Sequence, residues 1–134
     1  MEDQQAFSVD RPFSTVRLQE LHRALSSGSL DRLLAMAEQE LSKRPAIIAM
    51  ALAGNDLSRA VHESHALAGA ALTIGASATG QAAAALEREL RSGAHARDPR
   101  LPVALSELRE AARRAAAAVP AIRCALRDTP RLAA

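Results

Sequence analysis

The chain has no tryptophan or tyrosine and only two phenylalanines among its 134 residues. Strand-forming residues are sparse, and no alternating apolar–polar run is long enough to predict a strand. Cysteine is nearly absent: Cys124 stands alone, which excludes an internal disulfide and fits a reducing compartment. No run approaches the ~20 apolar residues needed to cross a bilayer. Met1-Glu2-Asp3-Gln4-Gln5 lacks the basic start and apolar core of a secretory leader. These absences predict a cytoplasmic protein with no membrane association. Glycine-rich phosphate loops of the P-loop or dinucleotide kind are missing, so ATP binding is not expected. Charge is nearly balanced, with 17 basic and 15 acidic side chains, and gives no reason to expect a nucleic-acid partner despite a pI near 9.5. Lysine is also scarce. Lys43 is the only one, and the arginine bias reads as compositional.

Alanine and leucine dominate what is present, and both favour helix. The length suits one domain with one core. Residues 1–12 read as a flexible arm, 13–127 as a helical domain and 128–134 as a flexible tail. Ser14 caps a first short helix ending near Leu25. A second begins near Ser29, with a kink or break expected at Pro45 and a stop at Gly54-Asn55. Asp56 caps a third helix. A turn is expected from Gly75 to Gly80, with Ser77 or Thr79 capping a helix that runs from Gln81 to Arg91. After a loop over 92–100, a last helix starts near Leu101-Pro102 and stops or kinks at Pro120. Amphipathic helices with short connections predict an all-α antiparallel four-helix bundle with a short additional N-terminal helix.

The stretch from Ser64 to Ala76 carries the most chemical information. Helical spacing places Leu57, Ala60, Ser64, Leu67, Ala71 and Ile74 on one stripe, which predicts the core face. His65 falls about 100° off that stripe. Its side is shared by Val61, His62, Ala68, Gly69 and Leu72, so the imidazole is expected in water, ringed by small or apolar groups. Gly69 costs about 1 kcal/mol relative to alanine in a helix interior, which suggests a use: it leaves the surface beside His65 open to a macromolecule. His62 and His65 are three apart, but no third ligand is evident and no metal site is expected. His22 and His95 read as solvent-facing.

His65, Leu67, Gly69 and Gly75 stand where the histidine-containing phosphotransfer (HPt) signature has its histidine, leucine, glycine and second glycine ten residues after the histidine, and Ala76 also falls at a matching place. The chain resembles that family over about residues 57–90. Its usual lysine, three residues after the histidine, is Ala68 here. Glu87 falls where the chemotaxis-kinase branch has a glutamate that holds the other imidazole nitrogen. The resemblance implies that His65 is the phosphoacceptor and that Glu87 orients it. It also implies that Val61, His62, Ala68, Gly69, Leu72 and Ala76 form a docking patch for a receiver domain. The expected protein is a monomeric carrier in bacterial two-component signalling. It would relay phosphoryl groups to and from the aspartates of a response-regulator receiver domain or a hybrid histidine kinase. Mg2+ would belong to the partner. Two other readings stand beside it. One is an adaptor that docks receivers and is never phosphorylated. The other is a degenerate histidine-kinase dimerisation domain, whose usual His-Glu-x-Arg/Lys-x-Pro differs from His65-Ala66-Leu67-Ala68-Gly69-Ala70.

Overall fold

The computed structural model describes residues 11–95 and 97–128. Of the expected arm over 1–12 and tail over 128–134, residues 1–10 and 129–134 lie outside the described residues, and Asp128 is the last residue of the final helix. Among those described are five helices and no strand: α1 (Thr15–Ala24), α2 (Ser27–Ala53), α3 (Leu57–Ile74), α4 (Ser77–Arg91) and α5 (Arg100–Asp128). Helix α3 packs against α2 and α4, and α5 against the same two, so the four long helices close a ring around one core. Short α1 leans on α2 and α3.

The core is built from stripes set by helical spacing. Leu30, Leu34, Ala37, Leu41, Pro45, Ile48 and Ala51 are buried along α2, and Leu101, Leu108, Ala112, Ala115 and Val119 along α5. Ala60, Ser64, Leu67, Ala71 and Ile74 of α3 are buried as their spacing predicts, with Leu57 partly buried at the start. Abundant alanine on α3 and α4 allows close approach. At one point it takes a glycine: a Cβ on Gly80 would come within 2.5 Å of Leu72 Cδ2.

Neither the break allowed for at Pro45 nor the stop allowed for at Pro120 occurs. Pro45 lies inside a continuous α2, and Pro120 inside a continuous α5. A helix-interior proline loses one hydrogen bond and costs about 3 kcal/mol. The buried stripe of α2 runs in register on both sides of Pro45, which is itself part of the core. Arg44 pins the same turn, with Nη2 2.7 Å from Glu40 Oε2 and Nη1 2.7 Å from Glu63 Oε1 on α3. Beyond Pro120, Ile122 and Leu126 pack on the core, and Arg123 donates to both carboxylate oxygens of Asp31 on α2 at 2.9 and 2.8 Å. Tertiary contacts on the far side of each proline thus hold the helix together.

Caps fix the ends that matter for α3. Asp56 Oδ1 accepts from the Arg59 amide at 3.1 Å. At the other end Gly75 adopts φ 88°, its amide donating to Leu72 O and the Ala76 amide to Ala71 O. This Schellman closure requires a left-handed residue. A Cβ there would also sit 3.0 Å from Arg17 Cβ. The Gly75 carbonyl accepts from the Ser14 amide at 2.7 Å, and Arg17 Nε donates to Thr73 O at 3.0 Å, so the turn is where α1 docks. Ser14 caps α1 as expected, and Gly54 with Asn55 (φ 57°) ends α2. Helix α2 begins earlier than expected, its Ser26 Oγ accepting from the Ser29 amide. Helix α4 also begins early. Its N-cap is Ala76 with no side-chain cap bond, so neither Ser77 nor Thr79 plays that part.

Candidate functional site

His65 lies midway along α3, and Glu87 stands in the last turns of α4. The seam between the two helices brings them together: His65 Nδ1 is 3.1 Å from both Oε1 and Oε2 of Glu87. The imidazole is 72% exposed and the Glu87 side chain 14%. An ionised carboxylate can only accept, so the shared proton sits on Nδ1. In the neutral ring that places the lone pair on Nε2, which has no hydrogen-bond partner among the described residues. The arrangement is an outward nucleophilic nitrogen on a ring held from behind. The Arg44–Glu63 pair, two residues before His65, ties the same stretch of α3 to α2.

A third residue joins them. Arg91 Nε donates to Glu87 Oε2 at 2.7 Å from one turn further along α4. This Glu-to-Arg order, four residues apart near a helix C-terminus, suits both the side-chain spacing and the helix dipole.

Around the ring, Gly69 is exposed, and a Cβ built on it meets nothing within 4 Å. Neither backbone angle nor packing within the chain asks for glycine there. Leu72 is 50% exposed although it rests against Gly80. His62 is exposed and Val61 half-buried. Two expected members of the patch are not at the surface. Ala68 is 6% exposed and Ala76 is fully buried. Helix α3 packs against two neighbours rather than one, so its buried arc is wide enough to include Ala68. Ala76 follows the left-handed turn at Gly75, which carries it off the helical projection and into the core.

The family model described as Hpt domain matches residues 13–118. The chain belongs to the Hpt family. Comparison with curated proteins and with solved structures gave no match. Hpt domains perform histidine phosphotransfer in phosphorelays and interact with receiver domains or kinases.

In this Hpt domain the Glu87 carboxyl is held below the usual carboxylate range. The Arg91 hydrogen bond does most, partial burial opposes it, and His65 adds a smaller push in the same direction. Glu87 is therefore an acceptor throughout the neutral range. No group of three or more His, Cys, Asp or Glu side chains able to hold a metal gathers among the described residues. None of the described helices is long and apolar enough to cross a membrane. Arg91 is the residue whose contact the sequence under-reports. Its spacing from Glu87 was the available signal, but many i, i+4 Glu–Arg pairs are ordinary surface pairs.

Proposed function

We propose that His65 is the phosphoacceptor of this Hpt domain and that Glu87 orients it. The observation that carries the reading is an exposed imidazole whose Nδ1 is held by a largely buried carboxylate. Nε2 attacks the phosphorus of an aspartyl phosphate on the partner. The N–P bond forms as the acyl P–O bond breaks, and the aspartate leaves as a carboxylate. The Nδ1 proton stays on the ring, where Glu87 offsets the positive charge that develops during attack. Transfer back to an aspartate reverses these steps.

The partner in this proposal is a response-regulator receiver domain or a hybrid histidine kinase, which supplies the acidic pocket and Mg2+. Val61, His62, Gly69 and Leu72 form the contact face, with Gly69 admitting the partner close to the ring. Ala68 and Ala76 support that face from below. The working unit is 13–127, an antiparallel four-helix bundle with α1 as the additional helix, acting as a cytoplasmic monomer in a bacterial pathway.

The test is label transfer from purified receiver domains phosphorylated with acetyl phosphate. Label is expected on wild type and absent from His65→Gln. Equal labelling of the two ends the assignment. Tight receiver binding with no label on His65 selects the adaptor reading, to which the uncharged, buried Ala68 is favourable.

A further inference from the structure

The contact between Glu87 and His65 does not explain its own geometry. A glutamate side chain has three rotatable torsions, and a single bond to an exposed imidazole is weak against that freedom. Both Glu87 oxygens nevertheless lie at the same 3.1 Å from Nδ1. The bond that breaks the freedom comes from Arg91, whose Nε reaches Oε2 at 2.7 Å within one helix. Arg91 and Glu87 share α4, so their pairing does not depend on the seam with α3. No other described cation bonds to Glu87, and Ala68, one turn along from His65, brings no charge.

We propose that Arg91 is a positioning residue of this site: it fixes the Glu87 carboxylate so that His65 keeps its proton on Nδ1 and its lone pair on Nε2. It has a second effect on charge. A bare carboxylate beside the ring repels an incoming phosphoryl group, whereas the Glu87–Arg91 pair is neutral. Arg91 is not needed to ionise Glu87 at pH 7, because an ordinary glutamate is already ionised there. Its contribution at neutral pH is therefore aim and charge balance. The Nη groups of Arg91 make no hydrogen bond among the described residues, and its side chain is 60% exposed. Removing it takes one partner from Glu87, which keeps its contact with His65, and disturbs no other hydrogen bond among the described residues.

The catalytic half of this inference rests on the phosphotransfer reading of His65, whereas the tautomer half does not. Nitrogen-15 NMR of the His65 ring at pH 8 needs no partner and reports which nitrogen bears the proton. Labelling by phosphoramidate, a small-molecule phosphoryl donor, measures the reactivity of Nε2 without docking. Arg91→Ala is expected to shift the ring from Nδ1–H towards a mixture of tautomers. It should also slow labelling about fivefold, the upper end for a partly exposed ion pair, with helix content unchanged. Arg91→Lys should recover much of both, and Arg91→Ala should have no further effect in a Glu87→Ala background. An Arg91→Ala ring with the wild-type tautomer overturns the proposal, whatever the labelling rate. If wild type takes no label on His65, the phosphotransfer reading fails, and the tautomer measurement still decides the role of Arg91.

Discussion

Two glycines near His65 look alike in sequence and differ in physics. Gly75 sits at φ 88° with Arg17 Cβ 3.0 Å from where a Cβ would be. Gly75→Ala should cost about 1–3 kcal/mol and loosen α1, lowering the urea midpoint. Gly69 meets nothing within 4 Å. Gly69→Ala should therefore stabilise the helix by about 1 kcal/mol while slowing transfer from a receiver domain. If Gly69→Ala is stabilised and transfers at the wild-type rate, the open surface there has no part in docking. The sequence carried the pairing of His65 with Glu87 because helical register and the family signature agree on it. It did not carry the burial of Ala68 and Ala76. Spacing along a lone helix defines one face, and it contains neither the second neighbour of α3 nor the change of direction at Gly75.

At the scale of the helix, chain order and most caps were legible: Ser14, Asp56, Gly54 and Asn55 act as their side chains or backbone freedom dictate. The break allowed for at Pro45 and the stop allowed for at Pro120 do not occur, because a local rule competes with contacts that local sequence does not display. Helix α2 bridges Pro45 through the core stripe and the Arg44–Glu63 pair, and α5 bridges Pro120 through Ile122, Leu126 and the Arg123–Asp31 pair. Since Pro120 is exposed, its ring contributes little packing. Pro120→Ala should restore a backbone donor and recover the proline penalty of about 3 kcal/mol. The unfolded chain gains freedom worth roughly 0.4–1 kcal/mol. The net expectation is a stabilisation of about 2 kcal/mol, read from urea unfolding. A lower midpoint would mean that the ring shapes α5 in a way the core requires.

At the scale of the whole molecule, arginines hold four carboxylates among the described residues below their ordinary range. Arg123 does so for Asp31, Arg91 for Glu87, Arg100 for Asp98 and Arg113 for Glu110, the side-chain hydrogen bond leading in each case. Asp98 is brought from 3.8 to about 2. Its Oδ1 accepts from the Arg100 amide as α5 begins, and Arg100 also pairs with Glu89 on α4, so this cluster closes the connection between the two helices. A carboxyl depressed in the folded state stabilises the fold above its unfolded value and loses that contribution as pH falls through the folded value. The melting temperature should therefore decline from about pH 4.5 towards pH 2 as these pairs are protonated. Asp98→Asn should melt below wild type at pH 6, and the gap should close as the pH approaches 2. High salt should narrow the gap at pH 6, because the Arg100 side of the pair is open to solvent. A gap that stays constant from pH 6 to pH 2 would assign Asp98 to the shape of the turn rather than to its charge.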